Sequence, residues 1–256
     1  MRFASLASGS EGNALVVESG GTCIMLDCGL GLRETVSRLS RLSLSPEDLS
    51  GILVTHEHED HASGVVRFAR KFNLPVWMTH GTFRADQDAY SPLSKVCMIE
   101  GYQRFGIGGI EIEPFPVPHD AREPVQFVFG NGASRLGVIT DVGCSTPHIE
   151  AILSGCHALV LECNHDAQML ANSNYPPSLV RRISGRFGHL ENRGASELLS
   201  RLDRSRLQHV IAAHLSRKNN TPQLARSALS KAMNCSEEWI GIACQKEGFG
   251  WRQIIA

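Results

Sequence analysis

Long apolar runs are missing from this chain of 256 residues. No segment approaches the ~20 residues that a helix needs to cross a bilayer, so no membrane partner is expected. The amino terminus, MRFASLASGSEGNALVV, has one early arginine and no continuous apolar stretch, and it does not read as a secretory signal. Together these features lead to the expectation of a soluble, cytoplasmic protein. An excess of charge is missing as well: 25 Lys and Arg stand against 26 Asp and Glu, for a formal net charge of −1. With no global field, a polyanionic partner would have to be held by a local patch. Paired cysteine spacing is absent. The eight cysteines are scattered with no CxxC, which argues against a zinc finger. In a reducing compartment most are expected to be small buried hydrophobes. There is no internal repeat, low-complexity tract or linker, so residues 1–256 are expected to form one domain.

The apolar pattern is that of a mixed α/β protein. RFASLAS, NALVVES and TCIMLDCG read as short strands, with Gly20-Gly21 as a hairpin turn between the last two. Leu32, Val36 and Leu39 fall at helical spacing, with Pro46 just beyond. GILVT and PVWMT read as strands flanking a helix marked by Val65, Val66, Phe68, Ala69 and Phe72 and ended by Asn73 and Pro75. VCMIE, GIEIEPFPV, VQFVFG and RLGVIT continue the β pattern to about residue 140. ALVLE and HVIAAH then alternate with helical segments near 176–185, 192–203 and 221–233, the last with Thr221 as N-cap and Pro222 in its first turn. Two β-rich clusters, each followed by helices, predict two packed sheets with helices outside.

Residues 55–61, THEHEDH, place three histidines and three carboxylates directly after the apolar GILV. In an extended stretch, residues two apart share a face, so His56, His58 and Asp60 can converge on one point. His61 follows where the chain turns into a helix and can approach from another side. Imidazole nitrogens and carboxylate oxygens suit divalent metals. One such cluster does not close a metal site. VPHDA offers His119, GVITDVG offers Asp141 and VIAAHLS offers His214, each a polar residue ending an apolar run. Singly each would be a turn or cap residue; with THEHEDH they form a candidate ligand set.

This ordered set of motifs resembles the metallo-β-lactamase superfamily along essentially the whole chain. The resemblance implies a four-layer αββα sandwich with two divalent ions at one edge of its sheets. Zn²⁺ is the first choice for these ions, with Mn²⁺ or Fe as alternatives. Carried over by position, it implies His56, His58 and His119 on one ion, Asp60, His61 and His214 on the other, and Asp141 as the bridge. Asp27, in LDCG, matches an early aspartate that orients a ligand from behind.

LASGSEGN, LECNHD, GHLEN and HLSRKNNTP further resemble the YycJ/WalJ-like exonuclease group. The group's patterns carry Ser where Glu11, Cys163 and Glu191 stand here, next to the motif residues rather than on them. No β-CASP cap is visible between the motifs. The implied activity is metal-dependent phosphodiester hydrolysis, acting as a 5′-to-3′ exonuclease on DNA rather than RNA. His189, as general acid to the leaving oxygen, and Asp60 are the implied catalytic residues, while Glu162 and His165 would either back the ligands or wall the site. Arg181, Arg182 and Arg186, with Arg193, surround His189 in the sequence, and Arg217 and Lys218 follow His214; these are candidate phosphate contacts. His80, His148, His157 and His209 match no motif. A thioester or lactone hydrolase on the same fold is the alternative function. A metal-stabilised scaffold without activity is a further one, and the complete ligand set argues against it.

Overall fold

The computed structural model describes residues 1–255. The first half contains strands β1 (Arg2–Ala7), β2 (Ala14–Ser19), β3 (Thr22–Leu26), β4 (Gly51–Leu53), β5 (Val76–Thr79) and β6 (Val96–Ile99). Its helices are α1 (Leu32–Arg41), α2 (Glu59–Ala62), α3 (Val65–Phe72), α4 (His80–Ala85) and α5 (Gln87–Tyr90). Strands β7 (Phe105–Ile107), β8 (Ile110–Pro116), β9 (Val125–Gly130), β10 (Arg135–Ile139), β11 (Ala158–Glu162), β12 (His209–Ala213), β13 (Gly241–Ile242) and β14 (Phe249–Gln253) follow. Between and after them run α6 (Pro147–Leu153), α7 (Ala167–Ala171), α8 (Pro177–Ile183), α9 (Asn192–Arg201) and α10 (Pro222–Met233).

The strands form two seven-stranded sheets, ordered β14-β1-β2-β3-β4-β5-β6 and β13-β12-β11-β10-β9-β8-β7. Each is antiparallel on one side and parallel on the other: β3 to β6 are parallel, as are β10 to β13. Three apolar layers follow from this. Phe3, Ile24, Leu53, Phe127, Phe129 and Ile211 belong to the layer between the sheets. Val16, Met25 and Ile52 point the other way from the first sheet, onto Leu39 of α1 and Phe68 of α3. Leu159 and Ala212 of the second sheet meet Ile149 of α6, Leu198 of α9 and Leu229 of α10. This is the expected αββα sandwich. Alternation with period two sends neighbouring strand residues into different layers, which is why β2 reads as almost wholly apolar.

Local signals hold where they were strong. Gly20 and Gly21 turn the β2–β3 hairpin with φ of 56° and 78°. Asn73 ends α3 in the left-handed region at φ 53°. Thr221 caps α10 by accepting from the Leu224 amide, with Pro222 as the first helical residue. Four cysteines (Cys23, Cys28, Cys156 and Cys163) are buried, but Cys97, Cys144 and Cys235 are half-buried and Cys244 is exposed, so the buried role extends to only half of them. No described helix is long and apolar enough to cross a membrane.

Candidate metal centre

The site forms where strands of both sheets end. Asp27 follows β3 and His214 follows β12, while Asp141 lies two residues beyond β10; all three adopt left-handed backbone, with φ of 59°, 53° and 52°. Such geometry costs a non-glycine residue of order 1 kcal/mol or more, and here it recurs at three strand ends that meet. Each left-handed residue turns its chain sharply and leaves its side chain at the sheet edge.

THEHEDH is not extended throughout. His58 is the N-cap of α2, and Asp60 and His61 lie within that helix. The expectation that His56, His58 and Asp60 share a face is therefore corrected. The change from extended to helical backbone at His58 sends the two histidines and Asp60 to different neighbours. His56, His58 and His119 form one donor group, and Asp60, His61, Asp141 and His214 form another. A third grouping joins Asp141, Glu162, His189 and His214.

Distances within the first two groups suit ligands sharing an ion. His56 Nε2 and His119 Nε2 lie 3.0 and 3.2 Å from His58 Nδ1. Asp60 Oδ2 lies 3.4 Å from His214 Nε2 and 3.5 Å from His61 Nε2. Metal–ligand bonds of about 2.0–2.2 Å at a tetrahedral angle put donor atoms roughly 3.3 Å apart. Asp141 joins the groups: its Oδ2 is 3.1 Å from His61 Nε2 and its Oδ1 is 3.9 Å from His119 Nε2. Although His61 is that close, Asp141 Oδ2 is buried and accepts no hydrogen bond from any described residue. A buried carboxylate oxygen without a partner is costly, and a cation between the two groups would satisfy it. The donor set therefore fits a pair of divalent ions.

The opposite ring nitrogens are engaged behind the site. Asp27 Oδ2 accepts from His61 Nδ1 at 2.7 Å and from the Thr55 hydroxyl, while Asp27 Oδ1 accepts from the Thr55 amide. His119 Nδ1 donates to the Gly188 carbonyl, leaving Nε2 to face the site. Glu162, wholly buried, receives four donors. Oε1 accepts from His214 Nδ1 and His189 Nδ1, both at 2.9 Å, and Oε2 accepts from the Val142 and Leu190 amides at 2.9 and 3.1 Å. These bonds select the tautomer that presents Nε2 forward.

The branch motifs lie mainly behind the site, where they lock its loops. Ser8 accepts from the His214 amide, and Asn13 donates to the Asp60 carbonyl. Gly29 leaves room for that carbonyl, which a Cβ would approach to 1.8 Å. Asn164 donates to the His214 carbonyl, Asn220 donates to the Cys163 carbonyl, and Asn192 and Asn220 exchange amide bonds.

Charge balance follows from this packing. Burial opposes ionisation of Asp141 and Glu162, yet the facing histidines hold both carboxyls down, Glu162 at about 2. Burial also opposes the charged form of His214, but Asp141, Asp60 and Glu162 raise it to about 10. Against the same burial, Asp141 and Asp27 raise His61, and Glu162 and Asp141 raise His189. His56 and His119 move the other way: burial lowers both, and their histidine neighbours add to it.

The donor groups border a cavity of about 370 Å³ lined by His58, Asp60, Asp141, His189 and His214, and by residues that the motifs did not indicate, among them Asp120 and Tyr175. His189 reaches it with 23% of its side chain exposed, against 2% for His214. His165 was expected on this wall. It is buried and lines a neighbouring cavity with Cys144 and Glu191, because its carbonyl and Asn164 tie its strand end to the 190–192 loop. Of the basic candidates, Arg182 lines the metal cavity, where its Nε donates to Asp120 Oδ2 at 2.5 Å. Arg181 and Arg186 are exposed outside that lining. Arg193 pairs with Glu197, Arg217 pairs with Glu11, and Lys218 lies over the Tyr175 ring.

The β-lactamase superfamily domain model matches residues 22–214. Exodeoxyribonuclease YycJ of Bacillus anthracis is 36% identical over 235 residues, 91% of this chain and 89% of the relative. Exodeoxyribonuclease WalJ of Streptococcus pneumoniae is 30% identical over 246 residues, 94% of this chain and 91% of the relative. Among solved structures, the metallo-β-lactamase fold protein YhfI from Bacillus subtilis superposes with a TM-score of 0.76 at 14% identity, covering 98% of this chain and 99% of that one, and so shares the fold. From its paired sheets to its histidine-rich edge, the chain belongs to the β-lactamase superfamily, in the group that holds YycJ and WalJ.

Proposed function

We propose that the protein is a dinuclear metal-dependent phosphodiesterase that degrades DNA as a 5′-to-3′ exonuclease. The observation that carries this reading is the pair of donor groups joined by Asp141 at the border of an open cavity. The likeness to proteins named exodeoxyribonucleases supports DNA as the substrate. His56, His58 and His119 would hold one ion, Asp60, His61 and His214 the other, with Asp141 shared. The mixture of imidazole and carboxylate favours Zn²⁺, with Mn²⁺ or Fe able to replace it. When bound, two such ions supply Lewis-acid charge neutralisation and an activated water.

The chain's own residues do the rest. Asp27 and Glu162 keep His61 and His214 turned toward the site. His189 donates the proton that the leaving oxygen requires: its Nδ1 is held by Glu162, its Nε2 is free for substrate, and burial beside two carboxylates favours its charged form. Asp60, placed at the cavity and beside His61 and His214, combines a ligand role with positioning of the attacked phosphate. Arg181, Arg182, Arg186 and Lys218 contact phosphates away from the cleaved bond. We further infer one domain over residues 1–256, acting in the cytoplasm.

The test is direct. Protein loaded with Zn²⁺ or Mn²⁺ is offered DNA labelled at either end, beside RNA of the same sequence. Release of label from the 5′ end as mononucleotide at the earliest times supports the reading. Early release from the 3′ end reverses the polarity, and cleavage of RNA alone replaces the substrate.

A further inference from the structure

Part of the metal cavity's lining is apolar. Tyr175, Leu179 and Ile183 border the same space as His58, Asp60, Asp141 and His214. Leu179 and Ile183 are four residues apart on α8 and share a face of it. None of the residues of α8 is buried, so this apolar stripe is not consumed by a core. Cleaving a phosphodiester calls for cations and hydrogen-bond donors, and an apolar wall adds nothing to that chemistry. It suits an occupant with a flat apolar face.

Charge beside the wall narrows the occupant. Lys218 Nζ sits 5.5 Å from the centroid of the Tyr175 ring. Arg182 lines the cavity as well, held by Asp120. An aromatic ring with an ammonium on one face matches a nucleotide, whose base can stack while its phosphate meets the cation. The cavity's 370 Å³ falls near the lower end of the roughly 300–1,000 Å³ typical of small-ligand pockets, a size for one nucleotide rather than a duplex.

We propose that Tyr175, Leu179 and Ile183 form the subsite for the base of the terminal nucleotide, with Lys218 beside its phosphate. The proposal rests on the nuclease reading and deepens it: a subsite that takes one unstacked base selects a chain end over an internal bond. Because every base has a π face, the subsite is tolerant of sequence.

The experiment crosses two changes in the metal-loaded full chain. Wild type, Tyr175→Ala and Tyr175→Phe are each given a DNA strand whose terminal nucleotide carries its base, and the same strand with an abasic terminal sugar. Circular dichroism and metal content are measured on each variant. Wild type should lose about 10- to 100-fold in kcat/KM on the abasic end, the range expected for one stacked base. Tyr175→Ala should lose a similar factor on the intact end, mainly through KM, and little more when the base is also absent. Tyr175→Phe, which keeps the ring, should recover most of the loss. The proposal is overturned if the two losses multiply, if Tyr175→Ala cleaves the intact end as well as wild type, or if wild type ignores the missing base. The last comparison needs no variant, so misfolding of Tyr175→Ala does not protect the idea. If wild type cleaves no DNA at all, the nuclease reading fails and takes the subsite with it. If DNA is cleaved with no dependence on base or ring, the subsite alone fails.

Discussion

Replacing Glu162 by Gln changes one buried oxygen to an amide nitrogen, and the surroundings leave no neutral way to place it. Four donors converge on the carboxylate: His214 Nδ1 and His189 Nδ1 on one oxygen, the Val142 and Leu190 amides on the other. With the new NH₂ toward the amides, two buried backbone donors lose their acceptor. Each costs about 1–3 kcal/mol, so stability falls by about 2–6 kcal/mol. With the NH₂ toward the rings, both histidines must accept at Nδ1 and carry their proton on Nε2. His214 then cannot present a lone pair to the site, and metal affinity falls by about 10- to 100-fold, the usual loss for a residue that orients a ligand. Either orientation also removes the charge that raises His189, so the alkaline limb of the kcat/KM–pH profile should move to lower pH. The assay combines thermal unfolding of the metal-free protein with metal titration of the same preparation. A variant with wild-type stability, affinity and pH profile would refute the placement of Glu162 at the centre of these bonds.

Asp141→Ala should lower occupancy of both ions, because its oxygens approach ring nitrogens of both donor groups; metal analysis after dialysis checks this. Loss of one ion with the other retained would show that Asp141 serves a single position. His189→Ala should keep metal content but lose about 10²–10⁴-fold in turnover, with a smaller loss on an aryl phosphodiester whose leaving group needs no proton. An equal loss on both substrates would make His189 a phosphate-positioning residue. Metal binding should release protons, since His61 and His214 are both raised in the metal-free protein, His214 to about 10. Affinity should therefore climb with pH from neutrality toward 10, and calorimetry in buffers of different ionisation enthalpy should detect the released protons. The same shifts stabilise the metal-free fold fully below the unfolded histidine value of about 6.5, and their contribution is lost as pH rises through the folded values.

Much of the site was legible because strand ends are marked by contrast. A single polar residue closing an apolar run stands out at His119, Asp141 and His214, and the structure brings all three into the donor groups. Asp27 was indicated by the family resemblance alone. The internal geometry of THEHEDH was less legible. Alternation describes a strand, but the chain enters α2 at His58, and nothing in seven polar residues marks where the period changes. Strands β13 and β14 were also missed. β13 is two residues long, and β14 reads Phe249–Gln253 with mixed exposure; its pairing with β1 joins the two ends of the chain, which no local pattern records. Tyr175 stands in NSNYPPSL just ahead of the helix read near 176–185 that carries Leu179; nothing local says what that helix faces, and the cavity exists only once α8 is laid against the β8–β9 and β12 ends. Arg182 read as a free cation because its partner, Asp120, is 62 positions away.

The central claim is that two ions act together on a phosphodiester. Metal-free protein should be titrated with Zn²⁺ or Mn²⁺ while bound metal and hydrolysis of end-labelled DNA are followed in the same samples, with a thioester and a lactone in parallel. The account predicts binding that saturates at two ions per chain, with DNA hydrolysis appearing as the second site fills. Full activity at one ion per chain, or turnover of the thioester or lactone while DNA stays intact, would contradict it.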